Sequence, residues 1–195
     1  MPKVSDAHRE SRRDQILDAA LRCFTTQGFQ ATTMADIIAA SGLSAGAIYR
    51  YFPGKQELAV ATAKRAISGR VEDVLAAADG GAISPGEALR AVAEGFDREG
   101  IAFGLIVQLW GEAASRPEFR SVATTAFAAL GQTFSALLAA WAHERHGIPM
   151  AQAQTWVRAR LPIMLALGQG FIVQSALLPG FDREAYLAAV DRVFA

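Results

Sequence analysis

Cysteine and histidine are scarce in this chain, and their scarcity excludes several kinds of site. The 195 residues include one cysteine, Cys23, and three histidines. A single thiol cannot form a disulfide within the chain, which fits a reducing compartment. The histidines form no HExxH motif, and none follows an acidic residue by three positions. There is also no P-loop and no GxGxxG motif after a strand. We therefore expect no catalytic residue, no metal and no cofactor.

Lysine is rare too, and the charges are unevenly distributed. All three lysines lie within the first 65 residues, where nine basic residues stand against six acidic ones, a balance of +3. The remaining residues carry 10 basic and 13 acidic side chains, so that the formal net charge of the whole chain is zero. This asymmetry favours a polyanion-binding N-terminal part joined to a neutral-to-acidic body.

Two long stretches lack charge altogether, at 121–142 and 161–181. Each is long enough to cross a bilayer, which takes about 20 residues. Both contain several Ser, Thr, Gln or Pro residues, and uncharged helices buried on all sides are common in soluble proteins. The N-terminus has no apolar run of the signal-peptide type. We therefore expect a cytoplasmic protein without membrane insertion.

Helical periodicity extends through the whole chain, and no stretch makes a convincing strand. Gly28 ends the first helical pattern, and Ser84-Pro85-Gly86-Glu87 is typical of a helix start. The sequence therefore predicts an all-α fold of about nine helices. Their expected positions are 9–27, 34–41, 45–51, 56–78, 85–98, 101–115, 116–145, 150–178 and 183–194.

Residues 32–58 contain two short helical patterns joined by a tight turn, TTMADIIAASGLSAGAIYRYFPGKQEL. Thr33 is a good N-cap for the first pattern, with Asp36 at the capping-box position. Gly42 ends that helix, and Ser44 is the N-cap of the next. This arrangement predicts a helix-turn-helix whose second helix enters the major groove of DNA.

The second helix of this pair presents small residues on the side facing away from the core. Gly46 within a helix costs about 1 kcal/mol relative to alanine, and close approach of the backbone to a ligand surface would compensate. Tyr49 and Tyr51 are able to donate hydrogen bonds to phosphates. Arg50 is able to reach a phosphate or a guanine edge. Taken alone, a loosely packed surface helix is an alternative.

Two cations flank this helix pair. Lys55 begins the following helix, where a positive charge opposes the helix dipole. A phosphate held jointly by the helix N-terminus and Lys55 would make that position favourable, so Lys55 favours a DNA contact. Arg12, near the start of the first helix, belongs either to a solvated face or to a phosphate contact.

Residues 32–58 closely resemble the N-terminal signature of tetracycline-repressor-like (TetR-family) transcriptional regulators. The matching positions are Thr32, Thr33, Ile38, Ala39, Ser41, Gly42, Leu43, Ser44, Gly46, Tyr49, Tyr51, Phe52, Lys55 and Leu58. The resemblance implies that certain residues lie at the DNA, where they contact its sugar–phosphate backbone or allow close approach to it. These residues are Thr33, Ser44, Gly46, Tyr49, Tyr51 and Lys55. It implies base reading at the variable positions Ala45, Ala47 and Arg50.

The resemblance also implies a function for the whole chain. It implies a homodimeric repressor that binds double-stranded operator DNA and is released by a small-molecule effector. Residues 1–55 would be the DNA-binding domain, and 56–195 the ligand-binding and dimerisation domain. The alternative is a helical small-molecule-binding protein, or an enzyme on the same scaffold, without DNA binding. Salt-dependent binding to a DNA duplex separates the two.

The larger part of the chain is rich in big apolar side chains. An apolar cavity with a few convergent polar groups is the usual form of a small-molecule site, although core packing is an alternative for each residue. We expect a largely hydrophobic effector. The expected contacts are Phe96, Phe103, Ile106, Gln108, Trp110, Phe127, Phe134, Trp141, Met164 and Gln169.

The apolar run 161–178 contains two glycines that allow close approach between helices. With the last helix it is expected to form a two-fold, four-helix interface between subunits. An internal core helix is the alternative. The expected interface residues are Leu161, Leu165, Gly168, Ile172, Leu187 and Val190.

Overall fold

The computed structural model describes residues 6–195, and helices account for all its regular secondary structure in that range. The all-α prediction is confirmed. The helices are α1 (Asp6–Gln27), α2 (Met34–Ser41), α3 (Ala45–Tyr49), α4 (Lys55–Ala78), α5 (Pro85–Arg98), α6 (Phe103–Ser115), α7 (Pro117–His146), α8 (Met150–Leu177) and α9 (Arg183–Phe194).

Most helix ends agree with the prediction within two residues, because their capping residues are visible in the sequence. Ser84 and Asp182 each accept a hydrogen bond from the backbone N–H three residues later, which fixes the starts of α5 and α9. The end of α3 is earlier than predicted. There the N–H of Tyr51 bonds the carbonyl of Ile48 at 2.9 Å, a tight three-residue closure that ends the α-helical pattern.

The chain forms two compact units. The N-terminal unit contains the described residues up to Arg65 together with Gln108–Val122, and the second unit contains Ala66–Val107 and Ala123–Ala195. The division therefore falls inside α4, α6 and α7. The boundary expected after Lys55 lies within the N-terminal unit, because the first turns of α4 belong to that unit.

The N-terminal unit is built on α1, which packs against α2. Ile16, Leu17, Ile37, Ile48 and Leu58 have at most 1% of their surface exposed, so every helix of the expected helix-turn-helix contributes to one core. Burial of side chains of this size stabilises a fold by about 1.5–3 kcal/mol each.

In the second unit, α5 packs against both α8 and α9. The backbone N–H of Gly86 donates to Asp191 at 2.7 Å, and Arg90 forms a two-bond ion pair with Glu184. A side chain at Gly86 would come within 2.7 Å of the Leu187 carbonyl, so glycine allows α5 and α9 to pack closely.

Two helices, α7 and α8, are long and apolar enough to cross a membrane by length and composition. Within the most apolar stretch of each helix, 28% of α7 and 11% of α8 is buried in the chain. One or two such helices are weak evidence for a membrane, and much of this apolar surface remains uncovered by the described residues.

Candidate functional site

The turn between α2 and α3 has the backbone geometry that a helix-turn-helix requires. Gly42 ends α2 with φ 68°, a left-handed conformation that disfavours other residues. Ser44 then has extended backbone angles, and its hydroxyl accepts a hydrogen bond from the N–H of Ala47 at 3.3 Å. The hydroxyl of Ser41 also donates to the Ile38 carbonyl and accepts from the N–H of Leu43. These bonds fix the angle at which α3 leaves α2.

The start of α2 is held by a reciprocal capping box. The N–H of Asp36 donates to the Thr33 hydroxyl at 3.2 Å, and the backbone N–H of Thr33 donates to the Asp36 carboxylate at 2.8 Å. The Thr33 hydroxyl also donates to that carboxylate at 2.6 Å. These bonds lower the pKa of Asp36, with the Thr33 hydroxyl as the main cause. The hydroxyl proton of Thr33 is therefore engaged by Asp36 and is not available for a hydrogen bond to a phosphate. The role of Thr33 in this structure is to orient α2.

Replacing Thr33 with valine should raise the pKa of Asp36 towards its ordinary value of 3.8. A carboxylate whose pKa is depressed in the folded state stabilises the fold above its unfolded pKa, and this stabilisation is lost as the pH falls through the folded pKa. An NMR titration of the Asp36 carboxyl carbon in wild type and in Thr33→Val measures the change. An identical pKa in both proteins would show that the hydroxyl is not the cause.

The outer face of α3 is open to solvent. Ser44, Ala45, Gly46 and Arg50 are exposed, and Tyr49 has 48% of its surface exposed. Ala47 and Tyr51 are half-buried at the edges of this face. We call Ser44, Ala45, Gly46, Tyr49 and Arg50 the reading face. On the opposite side, Ile48 and Phe52 are buried and hold α3 in the core.

Gly46 has a special place on the reading face. A Cβ added there would meet nothing within 4 Å, so no packing within the chain requires glycine at this position. Alanine would favour the helix by about 1 kcal/mol. Glycine at this position is therefore explained by the close approach of a surface outside the chain, for which a side chain would leave no room.

Lys55 differs from its expected role. Its ammonium group donates to the carbonyl oxygens of Phe29, Gln30 and Thr32 at 2.9, 3.1 and 2.9 Å. It also lies 4.8 Å from the centre of the Phe29 ring. An ammonium group has three N–H donors, and these three bonds use all of them. Lys55 is thus a clamp on the α1–α2 loop, and the expectation of a phosphate contact is corrected.

Arg12 is half-buried on α1 and braces α2. Its guanidinium group donates to the side-chain oxygen of Gln15 at 2.9 Å, and Gln15 in turn donates to the backbone carbonyl of Ser41 at 2.9 Å. The sequence left a solvated face and a phosphate contact open for Arg12. The structure adds a third role, since Arg12 orients the residue that holds the end of α2.

The residues expected to bind an effector do not form one group. Gln108 and Trp110 belong to the N-terminal unit, and Gln169 is exposed on α8. The expectation that Gln108 anchors a ligand in the body is corrected, because its side-chain oxygen accepts the backbone N–H of Phe29 at 3.0 Å. The buried members of the set all lie in the second unit: Phe96, Phe103, Ile106, Phe134 and Met164. Phe127 and Trp141 are half-buried there.

An aromatic cluster organises the second unit around Phe103 and Phe171. Their rings are 5.9 Å apart and nearly perpendicular, a favourable edge-to-face arrangement. Phe96 contacts Phe103 in the same way at 6.1 Å. The guanidinium carbon of Arg183 lies 4.5 Å from the Phe103 ring centre, and its nitrogens bond the Asp97 carboxylate. Trp141 lies in a separate cluster with His146 and Trp156.

Sequence reasoning missed Arg70, which is fully buried. Its guanidinium group forms ion pairs with Asp73 at 3.1 Å and with Glu99, and lies 4.7 Å from the ring centre of Phe96. Arg98 forms an ion pair with Asp73 from the other side. A signal was present, because Arg70 lies four residues from both Ala66 and Val74, which are buried on the same face of α4.

The expected interface residues also divide into two groups. Leu161, Leu165 and Ile172 are half-buried on α8. Leu187 and Val190 are only 3% and 1% exposed, so they pack inside their own chain and offer no surface to a partner, which corrects that expectation. A Cβ at Gly168 would lie 3.0 Å from Leu89, so this glycine is packed against α5. The exposed large apolar residues nearby are Ile163, Leu177, Leu178 and Val193.

Comparison with known proteins agrees with this geometry. Residues 16–62 match the family described as "Bacterial regulatory proteins, tetR family". The HTH-type transcriptional repressor Rv1474c of Mycobacterium tuberculosis is 36% identical, and the match covers 40% of this chain and 49% of that repressor. The chain thus spans about half the length of this curated relative.

Solved structures extend the likeness to the whole fold. A putative transcriptional regulator from Saccharomonospora viridis in complex with choline has a TM-score of 0.71 at 18% identity, covering 94% of this chain and 95% of its own. The multidrug binding protein EbrR complexed with imidazole has a TM-score of 0.65 at 24% identity, covering 93% and 94%. At these identities the likeness establishes the fold.

Proposed function

We propose that the chain is a member of the tetR family of bacterial regulatory proteins and acts as a ligand-responsive transcriptional repressor that binds operator DNA. The observation that carries the proposal is the reading face, where a capped helix start, a glycine without packing neighbours and an exposed Tyr49 occur together. Its residues lie within the segment that matches the family. We place the protein in the cytoplasm.

The reading face has few groups that read bases directly. Ala45 and Ala47 offer methyl groups, which are able to contact thymine methyls, and Arg50 is the exposed cation of this face. Tyr49 supplies a hydroxyl for a phosphate. Much of the specificity therefore comes from DNA shape and from the spacing between two such helices.

Selection of bound duplexes from a random DNA pool tests the proposal. A two-fold dimer should enrich a near-palindromic sequence whose half-sites are about 34–36 Å apart, or a multiple of that distance. Recovery of no preferred sequence, with binding no tighter than to the starting pool, would contradict the proposal.

Replacing Gly46 with alanine should separate folding from DNA binding. Because alanine favours helix and meets no neighbour, the free energy of unfolding should stay equal or rise by up to about 1 kcal/mol. The dissociation constant for the selected duplex should rise about tenfold, since the added methyl group meets the DNA surface. Gly111→Ala is the matched control, because Gly111 is an exposed helical glycine that also has open space. Equal duplex affinity of Gly46→Ala and wild type would exclude close approach at α3.

We propose that a second copy of the chain covers the apolar surface of α8. Only 11% of the most apolar stretch of this helix is buried in one chain, and Ile163 is 46% exposed at its middle. The α8 residues Leu161, Leu165 and Ile172 are only half-buried and would be covered further. A dimer is required functionally, because one short reading helix recognises too few bases to select an operator.

Replacing Ile163 with arginine should convert the dimer to monomers, because it places a charge in the proposed apolar interface. Met150→Arg is the control, since Met150 is similarly exposed but lies at the first turn of α8. Gly168→Arg is unsuitable, because the side chain would collide with Leu89 within its own chain. Light scattering after size exclusion measures the mass. A dimer that persists in Ile163→Arg would place the interface elsewhere.

For the effector we propose a small, largely hydrophobic organic molecule bound in the second unit near the cluster of Phe96, Phe103 and Phe171. Two structural neighbours are described with choline and with imidazole, both small organic molecules. To release DNA, the effector must bind the conformation that does not fit the operator more tightly than the one that does. An effector that binds both conformations equally tightly does not shift the equilibrium between them, however high its affinity is.

A further inference from the structure

The loop between α1 and α2 is held from several directions at Phe29. The backbone N–H of Phe29 donates to the side-chain oxygen of Gln108 on α6 at 3.0 Å, and its carbonyl accepts from Lys55 on α4 at 2.9 Å. Phe29 is only 2% exposed, so its backbone N–H and carbonyl need hydrogen-bond partners within the chain. The loop leads directly into α2 through Thr33, the N-cap of that helix. The position of Phe29 therefore sets where α2, and then α3, begins.

Side chains of α6 and α7 surround the same loop. Phe119 is buried, and its ring meets the Phe29 ring edge-on at 5.6 Å. Glu112 accepts a hydrogen bond from Gln30. Gly28, with φ 81°, is also fitted to this contact, because a Cβ there would lie 3.1 Å from the Gln108 oxygen. Gln108 is exposed on α6, and its side-chain oxygen lies against the Gly28–Phe29 backbone of this loop.

From this geometry we infer that Gln108 is a positioning residue that couples α6 to the reading face. The inference rests on the proposed DNA-binding function and adds a route for its regulation. Within α6, Phe103 belongs to the aromatic cluster of the second unit, and Gln108 lies five residues further on in the N-terminal unit. A shift of α6 along its axis would change the distance from Gln108 to the Phe29 N–H, and the loop would follow or lose its bond.

Loss of this bond changes the population of the conformation that binds DNA, without removing a DNA contact. When only a fraction of the protein is competent, the apparent dissociation constant rises by the inverse of that fraction. The salt dependence of binding reports the number of phosphates neutralised. A positioning role therefore predicts weaker binding at every salt concentration with an unchanged slope.

Gln108→Met tests the inference, because methionine has similar length but no strong acceptor for the Phe29 N–H. Gln108→Glu keeps an acceptor oxygen, and Gln152→Met is a control at an exposed glutamine on α8. Binding to the selected duplex is measured by fluorescence anisotropy across a series of salt concentrations, together with thermal unfolding. Hydrogen–deuterium exchange of the peptide containing residues 28–33 measures the protection of the Phe29 amide N–H.

For Gln108→Met we expect about a tenfold rise in dissociation constant, an unchanged salt slope and faster exchange in the loop. Gln108→Glu should bind more like wild type than like Gln108→Met, and Gln152→Met should match wild type. The inference is overturned if Gln108→Met, still folded, binds as tightly as wild type, or if its loss of affinity comes with a smaller salt slope. It is also overturned if Gln108→Glu is as weak as Gln108→Met. If wild type itself shows no salt-dependent duplex binding, the proposed function fails instead.

Discussion

Replacing Gly95 with alanine should destabilise the second unit by at least about 3 kcal/mol, although alanine is the better helix former by about 1 kcal/mol. A Cβ at Gly95 in α5 would lie 1.9 Å from a carboxylate oxygen of Asp73 and 2.8 Å from a guanidinium nitrogen of Arg70. Both atoms would have to shift, because a Cβ essentially never lies within about 3 Å of another heavy atom to which it is not bonded.

The large effect follows from what surrounds Asp73. Arg70 is fully buried, and its charge is balanced in the chain by Asp73 and Glu99. Moving the Asp73 carboxylate aside leaves a buried guanidinium group partly uncompensated, and breaking a buried ion pair in this way costs about 3–5 kcal/mol. The carboxylate also bonds Arg98, so its displacement loosens a second ion pair.

Chemical denaturation measures this prediction, with Gly104→Ala as the matched control. Gly104 is also a helical glycine of the second unit, but an added Cβ meets nothing within 4 Å, so that variant should be equal or slightly more stable than wild type. Equal stability of Gly95→Ala and wild type would contradict the prediction. It would mean that the Asp73 side chain moves aside at no cost and that its ion pairs with Arg70 and Arg98 do not fix its position.

Replacing Lys55 with methionine should destabilise the N-terminal unit by about 2–4 kcal/mol, because it removes three charge-assisted hydrogen bonds to backbone carbonyls. Methionine keeps much of the aliphatic stem that packs beside Phe29, so the loss reports mainly the ammonium group. The α1–α2 loop would lose its hydrogen bonds to α4. The position of Thr33, the N-cap of α2, would then no longer be fixed by the loop.

Two measurements distinguish this clamp from a phosphate contact. Chemical denaturation should show the loss of stability in Lys55→Met and no comparable loss in Lys64→Met, since Lys64 is exposed on the same helix. At conditions where both variants are folded, the salt slope of duplex binding should be the same for Lys55→Met and wild type. A stable Lys55→Met protein with a slope reduced by about one would restore the phosphate contact.

Local signals in the sequence predicted much of the N-terminal unit. Thr33, Asp36, Gly42 and Ser44 act through neighbours within four residues, so their roles are readable from spacing alone. The burial of Ile48 and the exposure of Gly46 also follow from helical periodicity.

The errors concern contacts between residues that are distant in sequence. Lys55 bonds residues 23 to 26 positions away, and Gln108 bonds one 79 positions away. Charge and location near a DNA-binding motif favoured a phosphate contact for Lys55, while apolar neighbours favoured a ligand contact for Gln108. Periodicity gives the face of a helix, but it does not identify the element packed against that face. For this reason Leu187 and Val190 were also assigned to a partner when their own chain buries them.

The salt dependence of duplex binding by the wild-type protein tests the central claim most directly. The selected duplex and a scrambled duplex of equal length are titrated at several salt concentrations. The proposed function predicts that the affinity for both falls steeply as salt rises, and that the selected sequence binds at least about a thousandfold more tightly at each salt concentration. Affinities that are equal for the two sequences and indifferent to salt would contradict a DNA-reading role for α3.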